Sequence, residues 1–443
     1  MATKSSLFND TPFLLFTPHE TQKDIALDIS EGDIAVLREL AKRYAEAGSD
    51  SGRERVVNNW NNINNLTWDK PTIWMNEIPW HEMDVNGELT MKCESDVARR
   101  IESEMRKTLY QWNHMRGDMV IDPVFYAPVI LENSGYGLQI EAEVRETDAE
   151  NTIASRHFED IIRTEDDIER IETPVIRHDP QRTKAFRDLY AEIFDSILPV
   201  ETRGVTGFWF APWDDIVMWK GAEPTLLDLA LKPDLMHKLI DRLVSCSLGA
   251  LDQFIELNLL ARNDINVRVG SGGYGYVSGL PKPDCDPARI RTEDMWGSAT
   301  PQIFASVSPA MHEEFGIDYE RRWLERFGLA YYGCCEPLDG KMDEIAKIPN
   351  LRKISVSPWA DKSRAAERMK GKYAVSYKPS SAMVSTPHFD EDAIREYLRG
   401  DLLQLKGCCV EIILKDISTV QYEPHRLWRW TDIAKEVIAE IYR

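Results

Sequence analysis

Two adjacent cysteines and a glutamate follow directly after a short apolar run. The run, Leu329–Tyr332, predicts a buried strand, and Gly333 after it lets the backbone approach another group closely. The side chains of Cys334, Cys335 and Glu336 are metal ligands or reactive groups. Because α/β folds place their active sites at the carboxyl ends of parallel strands, we expect this segment to mark a reaction centre.

The same residue types predict a metal centre. Thiolates and carboxylates bind Zn²⁺, so Cys334, Cys335 and Glu336 are candidate ligands. Asp416, at the end of another predicted strand, is a further candidate. If the strand continues, alternation turns the two cysteines to opposite faces, and only one of them points into the site. The alternative is two buried structural thiols beside a solvated glutamate, since free cysteine is a common core residue.

Two lysines also follow apolar runs at predicted strand ends. Lys378 comes after residues 373–377, and Lys415 comes after Val410–Leu414. Ammonium groups placed there could bind a carboxylate or phenolate, or stabilise an oxyanion. We therefore predict Glu336, Lys378 and Lys415 as the catalytic residues. The alternative is that each lysine extends along apolar surface and reaches solvent at the rim.

A second pair of adjacent cysteines opens the strand that ends before Lys415. Cys408 and Cys409 lie at the other end of that strand, roughly 20 Å from Lys415, so we do not expect them to join the site. Adjacent cysteines rarely bond to each other, because the ring is strained against the required disulfide geometry. Reduced thiols, and a first segment without a secretory h-region, predict a cytoplasmic enzyme.

Aromatic residues follow several of the predicted strands. They could line a pocket for an apolar or aromatic substrate, or hold a planar cofactor. The predicted substrate-binding residues are Trp209, Trp213, Tyr274, Trp296 and Trp359. Tyr274 lies in the glycine-rich segment 270–275, which predicts a flexible active-site loop because it matches no phosphate-binding fingerprint. The alternative for each tryptophan is ordinary packing in the core.

The chain carries a large negative charge. It has 74 acidic and 53 basic residues, so its formal net charge is −21. This charge argues against nonspecific binding to nucleic acid and against binding to an anionic membrane surface. The sequence has no stretch of about 18 apolar residues that would predict a membrane-spanning helix. A hydrophobic fraction of 43% is enough for a large core, so we expect a globular protein.

Patterns typical of strands and helices alternate after about residue 117. The N-terminal segment contains predicted helices at 33–47 and 96–115, an irregular arm at 1–30, and loops with short strands at 60–92. Later strands are predicted at 119–131, 206–210, 266–270, 329–332, 353–356, 373–377 and 410–414. Later helices are predicted at 226–259, with a break near residue 232, and at 309–327, 390–405 and 431–442.

This alternation predicts a parallel α/β sheet with crossover helices. The number of strands is consistent with a (β/α)8 TIM barrel that carries an N-terminal helical and irregular elaboration. We accordingly divide the chain into an extension, residues 1–115, that packs on the barrel, and a catalytic TIM-barrel domain, residues 116–443.

The order of several short motifs resembles the uroporphyrinogen decarboxylase superfamily over roughly residues 95–440. These motifs lie at residues 157–160, 208–210, 231–233, 294–297, 307–309 and 325–328. The chain resembles the corrinoid and zinc-type methyltransferases of that superfamily more than the decarboxylase itself, because the arginine-rich motif of the decarboxylase has no counterpart here. The resemblance implies a TIM barrel with its active site at the carboxyl ends of the strands.

The resemblance also implies where a zinc site would lie. The related methyltransferases carry His-x-Cys on the strand that ends at the first cysteine pair, and a further cysteine near the end of the last strand. In this chain the histidine position falls near Tyr332 or Gly333, and Lys415 or Asp416 stands at the last cysteine position. One of the two cysteines of the first pair matches the family cysteine. This departure favours a component that demethylates a donor over one that methylates a thiol.

We therefore predict a methyltransferase that moves a methyl group from a small O-, N- or S-methyl donor to a corrinoid protein, or catalyses the reverse step. The partner protein would supply the corrinoid, Zn²⁺ is the candidate metal, and an electrophile must activate the leaving heteroatom. Two alternatives stay open: a decarboxylase or lyase of the same fold that acts on a small acid, and a non-catalytic binding protein built on the barrel. A homodimer stays open as the oligomeric state.

Overall fold

Six parallel strands form the main sheet of the protein. The computed structural model describes residues 12–16, 19–20, 25–68, 70–140, 142–145 and 155–442. In chain order the strands are β1 (Thr72–Met75), β2 (Trp296–Ala299), β3 (Leu329–Tyr332), β4 (Leu351–Val356), β5 (Ala374–Tyr377) and β6 (Val410–Leu414). They lie side by side in the order β1–β6–β5–β4–β3–β2. Since every neighbouring pair is parallel, all six carboxyl ends lie at one edge of the sheet.

The two faces of this sheet differ because side chains alternate along each strand. In β6, Val410, Ile412 and Leu414 belong to the large apolar core. Glu411 lies on the other face, where its carboxylate is 2.6 Å from the ammonium of Lys353 on β4, and both side chains are fully buried. This second face, which we call the inner face of the sheet, therefore contains a buried ion pair, although all five residues of β6 are buried.

Shorter strands lie outside the main sheet. Phe125–Pro128 pairs in parallel with Val200–Arg203. A three-stranded antiparallel sheet contains His19–Glu20, Leu131–Asn133 and Ile176–His178. Ala142–Arg145 and Ser155–Phe158 form an antiparallel pair. The predicted first strand at 119–131 therefore does not belong to the main sheet, and this part of the prediction was wrong.

Helices cover the apolar face of the sheet and build the N-terminal part. The longer ones are Glu31–Gly48, Arg53–Asn64, Asp96–His114, Pro180–Phe194, Pro212–Lys220, Ala222–Leu231, Pro233–Glu256, Asp318–Leu324, Lys362–Met369, Glu391–Gln404 and His425–Ile441. Short helical turns are Trp80–Glu82, Glu165–Glu169, Thr292–Asp294, Gln302–Ser306, Pro309–His312, Glu313–Ile317, Met342–Ile345 and Ala382–Ser385. The predicted helices at 33–47, 96–115 and 390–405 are confirmed, as is the break before Pro233. Within the described ranges, no helix is long and apolar enough to cross a membrane.

The strand β1 is the largest departure from the predicted arrangement. It lies in the segment predicted as an extension, yet it pairs with β6 along its whole length, from Thr72 opposite Glu411 to Met75 opposite Leu414. Only four residues long, it gives little periodicity, and its role depends on a partner more than 300 residues away. The predicted domain boundary between residues 115 and 116 stays a prediction. The strand β1 belongs to the sheet although it lies before that boundary.

The mixed α/β architecture is confirmed, whereas closure of the sheet into a barrel stays a prediction. Two predicted strands, at 206–210 and 266–270, are represented by single bridges, Phe13 to Phe208 and Arg268 to Tyr274. These segments lie near the carboxyl end of the main sheet: the Thr300 amide donates to the carbonyl of Phe210.

Candidate functional site

A buried lysine lies on the inner face of the sheet where β5 ends. The ammonium of Lys378 donates to the hydroxyl of Ser376 at 2.6 Å and to the phenol oxygen of Tyr331 at 2.5 Å. The Tyr331 hydroxyl in turn lies 2.9 Å from the Ser271 hydroxyl. Burial lowers the pKa of Lys378 to about 7, partly offset by the charge of Glu411. The group can therefore hold or release a proton near neutral pH.

Residues from the ends of β3 and β6 form what we call the thiol cluster: Cys334, Cys335, Lys415 and Asp416. The two sulfur atoms are 3.4 Å apart. The ammonium of Lys415 is 3.7 Å from the Cys334 sulfur and 3.8 Å from the Cys335 sulfur. Asp416 completes the cluster, with one carboxylate oxygen 3.5 Å from the Cys335 sulfur and 2.7 Å from the Lys415 ammonium.

The charges of the thiol cluster depend on one another. Burial alone would lower the pKa of Lys415, but negative charge on the Cys334 sulfur and on Glu77 raises it above its usual value. The hydrogen bond from the Cys335 thiol lowers the pKa of Cys334, and Lys415 lowers it further. The same hydrogen bond, together with burial, raises the pKa of Cys335. Of the two thiols beside the Lys415 ammonium, Cys334 is therefore the more acidic and Cys335 holds its proton more tightly.

Glu77 connects the thiol cluster to an arginine. Its carboxylate lies 3.4 Å from the Lys415 ammonium and 2.8 Å from the Arg268 guanidinium, and it accepts the Asp416 amide hydrogen. Burial would raise the pKa of Glu77, but Arg268 and Lys415 lower it to about 2. Glu77 was not among the predicted site residues. It follows β1, so recognising that strand was the signal that could have found it.

A cavity of about 130 Å³ opens beside the inner face of the sheet. Its walls include Trp74, Tyr126, Arg203, Asn266, Arg268 and Tyr274. Arg268 lines this cavity and pairs with Glu77, and Glu77 in turn pairs with Lys415, so two ion pairs connect the cavity to the thiol cluster. The guanidinium of Arg203 stacks 3.9 Å from the ring centre of Tyr126. The cavity offers planar aromatic faces and cationic groups, and Glu104 adds one carboxylate to its lining.

The carboxylate of Glu336 is bound by groups other than the lysines with which it was predicted to act. It is 1% exposed, and its carboxylate accepts hydrogen bonds from the Thr300 hydroxyl and the Cys334 amide, each at 3.0 Å. Burial raises the pKa of Glu336, which these two donors oppose. These hydrogen bonds fix the chain after β3, and the catalytic role of Glu336 stays a prediction.

The predicted orientation of Cys334 and Cys335 was wrong. Alternation would have turned them to opposite faces, whereas the structure brings their sulfurs into contact. The reason is that β3 ends at Tyr332 and Gly333 adopts a φ of +90°, which turns the chain before the first cysteine. The conformation is held by the Ser355 hydroxyl, which donates to the Cys334 carbonyl at 2.5 Å.

The thiol cluster does not fit the predicted zinc site. Three of the predicted ligands, Cys334, Cys335 and Asp416, lie together, but the Lys415 ammonium already neighbours all three, where a metal ion would need to bind. Within the described residues, no group of three His, Cys, Asp or Glu side chains is arranged to hold a metal ion. The binding of zinc stays a prediction from the sequence.

The predicted substrate-binding aromatics are scattered. Tyr274 lines the cavity. Trp213 and Trp296 are buried, and their indole N–H groups donate to the carbonyls of Phe315 and Gly275. Both therefore have a packing role. The remaining two tryptophans lie at different depths: Trp209 is half-buried, and Trp359 is 77% exposed after β4.

Comparison with known proteins does not identify a family for this chain. No protein-family model matches the sequence, and no curated protein matches it. Among solved structures, a methyltransferase from Methanosarcina mazei superposes with a TM-score of 0.48 and 11% sequence identity, covering 88% of this chain and 99% of that one. A likeness at this level carries no conclusion about function.

Proposed function

We propose that this chain transfers methyl groups, and that the reaction takes place on the inner face of the sheet between Lys378 and the thiol cluster. The observation that carries the proposal is Lys378, a buried ammonium with a pKa of about 7 at the carboxyl end of a parallel strand. Methyl ethers and amines are poor leaving groups unless the departing heteroatom is protonated or stabilised. A proton donor poised near neutral pH supplies that need.

The proposed step balances as a proton-assisted displacement. A corrinoid protein that carries reduced cobalt would act as the methyl acceptor and would supply the electron pair of the new bond to the methyl carbon. The bond between carbon and the donor heteroatom breaks, and the heteroatom takes its electron pair and a proton from Lys378. Lys415 remains charged throughout, because the negative groups around it raise its pKa, and it stabilises the developing negative charge.

The body of the donor would bind in the cavity next to Arg268, and its methyl end would extend past the Arg268–Glu77 ion pair toward the thiol cluster and Lys378, which do not line the cavity. A volume of about 130 Å³ is of the order that holds one small ring or a branched molecule of similar size. Trp74 and Tyr274 offer aromatic faces to such a donor. The proposal includes the corrinoid partner, the chemical class of the methyl donor and the direction of transfer.

The test is a methyl-transfer assay with reduced cobalamin. Purified protein is mixed with cob(I)alamin and with methyl ethers, methylamines or methyl thioethers in turn, and methyl–cobalt absorbance is followed. Lys378→Met is expected to lower the rate about 10²–10⁴-fold, the usual contribution of a general acid. The matched control is Lys372→Met, which removes an exposed lysine from the turn that precedes β5. If no donor gives methyl–cobalt absorbance with the unaltered protein, the proposal fails.

A decarboxylase or lyase that acts on a small acid is the second candidate. It is favoured by Arg203 and Arg268, which line the cavity and could hold a carboxylate. In that reaction Lys378 would protonate the carbanion left when carbon dioxide departs. Release of carbon dioxide from small carboxylic acids without any corrinoid would decide for this function over methyl transfer.

A further inference from the structure

The sulfur–sulfur contact in the thiol cluster points to chemistry that methyl transfer does not require. From this contact we infer that Cys334 and Cys335 form a reversible dithiol–disulfide site, which small-molecule disulfides oxidise. The two sulfurs lie 3.4 Å apart, whereas bonded sulfurs lie about 2.05 Å apart. Closing the bond requires the two atoms to approach by little more than 1 Å.

The surroundings of the two sulfurs favour the ionised form that attacks a disulfide. The Lys415 ammonium lies within 3.8 Å of both sulfurs, so its charge stabilises a thiolate on Cys334 and also on Cys335 once a proton has moved between the two sulfurs. The Asp416 carboxylate is within 3.5 Å of the Cys335 sulfur and can accept the thiol hydrogen. A thiolate next to a lysine is the reactive species in thiol–disulfide exchange.

Burial sets the order of the steps. Cys334 is 2% exposed, whereas Cys335 is half-exposed and can meet a small oxidant. The Cys335 thiol first passes its proton across the sulfur–sulfur contact to the Cys334 thiolate. The resulting Cys335 thiolate attacks one sulfur of the small disulfide, a mixed disulfide forms, and one small thiolate leaves. The Cys334 thiol then gives its proton to that thiolate and attacks the Cys335 sulfur, which expels the second small thiolate. The protein pair loses two electrons, and the small disulfide gains them.

The product would be easy to reduce. A disulfide between neighbouring residues closes an eight-membered ring that departs from relaxed disulfide geometry. Strained and exposed disulfides have the higher reduction potentials and serve as labile or regulatory bonds. Oxidation would also remove the negative charge that Cys334 and Cys335 present to Lys415, so the two forms of the site differ in charge.

The chain contains its own control for this inference. Cys408 and Cys409 are also adjacent, but they contribute to different apolar clusters, one with Val410 and one with Ala374. The Cys408 sulfur has the carbonyl of Ala366 as its neighbour at 3.9 Å. Tryptic cleavage separates the two pairs into peptides 327–341 and 407–415, so both can be measured in one sample.

The experiment is a thiol assay on the full chain, with no methyl donor present. Protein is incubated in its native state with excess glutathione disulfide, quenched in acid, denatured, alkylated and digested for mass spectrometry. We expect peptide 327–341 to lose two hydrogen atoms, about 2 Da, and to carry no alkyl group, while peptide 407–415 is alkylated twice. Dithiothreitol is expected to restore double alkylation of peptide 327–341.

Two variants test the order of the steps. Cys334→Ser should stop the reaction at a glutathione adduct on Cys335, and Cys335→Ser should leave the buried Cys334 unmodified. Double alkylation of peptide 327–341 in the unaltered protein, at the same level as peptide 407–415, would overturn the inference. A stable glutathione adduct that never closes to the internal disulfide would overturn it as well. Because the readout is chemical mass, its outcome is independent of the methyl-transfer assay.

Discussion

The two Gly-Cys-Cys segments of this chain have the same local sequence and opposite surroundings. Gly333 and Gly407 both adopt a φ of +90°, so the chain turns similarly before each pair. The first pair follows the carboxyl end of β3 and meets a lysine and an aspartate. The second pair precedes the amino end of β6 and packs against apolar residues.

The difference shows that position in the sheet decides what a cysteine pair can do. At the carboxyl end the chain leaves the sheet, so two neighbouring side chains can point to the same side. Before the amino end of β6 the two side chains point into different apolar clusters, so their sulfurs are separated. The different surroundings explain the pKa values of the thiols. The neighbouring Cys335 thiol and Lys415 lower the pKa of Cys334, whereas burial raises the pKa of Cys408 to about 11.

The largest effect expected in the comparison of the two cysteine pairs comes from removing the lysine beside each pair. Lys415→Met removes the charge next to Cys334 and Cys335, and we expect it to lower kcat for methyl transfer about 10²–10³-fold, the usual loss when a group that stabilises developing charge is removed. Lys370→Met is the control, because Lys370 is exposed and lies near Cys408. If the two variants have equal activity with cob(I)alamin, the lysine beside the first cysteine pair is no more important for methyl transfer than the lysine beside the second.

The next effect concerns thiol reactivity. We expect iodoacetamide at pH 7.5 to alkylate the first pair about tenfold to a hundredfold faster than the second in the native protein, because a lysine-paired thiol is more ionised. Residue-resolved mass spectrometry of a timed reaction gives both rates. Lys415→Met should bring the first rate close to the second; an unchanged rate would show that the lysine does not control the thiol.

A third expected effect is a pH dependence of the free energy of unfolding, which should come from Lys378 and not from the second cysteine pair. Lys378 has its pKa lowered to about 7 in the folded protein, so between pH 7 and its ordinary value of 10.5 the unfolded chain binds a proton that the folded chain does not. The free energy of unfolding should therefore rise with pH in this window, by at most about 1.4 kcal/mol per unit, and be flat with respect to this group below it.

Urea unfolding at pH 7 and pH 8 measures this dependence, because both values lie below the pH at which the Cys408 thiol titrates in the unfolded chain. Lys378→Met should remove the part of the rise that belongs to this lysine, whereas Cys408→Ala, in the apolar surroundings of the second pair, should leave the rise unchanged. A rise of the same size in Lys378→Met and in the unaltered protein would show that another group is responsible.

The smallest effect is on stability at fixed pH. Cys408→Ser places a hydroxyl in the apolar core and should cost about 1–2 kcal/mol of the free energy of unfolding. Cys335→Ser changes a half-exposed side chain among polar groups, and its cost should stay within about 0.5 kcal/mol. Chemical denaturation of both variants checks this; a reversed order would mean that the first pair is the structural one.

Sequence periodicity was enough to find the local elements. Helices such as Asp96–His114, and the strands β3 and β6, were predicted within a few residues because apolar spacing and strand-end glycines are local signals. The same signals correctly placed Lys378 and Lys415 at strand ends. The place of β1 was missed, because a four-residue strand becomes part of the sheet only through its hydrogen bonds to β6.

The sequence by itself determined the residue types at the carboxyl edge: two thiols, two lysines and an aspartate, each directly after a strand. The tertiary structure decided which of them meet. It turned Glu336 toward Thr300, brought Glu77 and Arg268 to Lys415, and placed both sulfurs beside one ammonium. The physical reason is that a charge is stabilised by groups from distant strands, and no local pattern records which distant strands become neighbours.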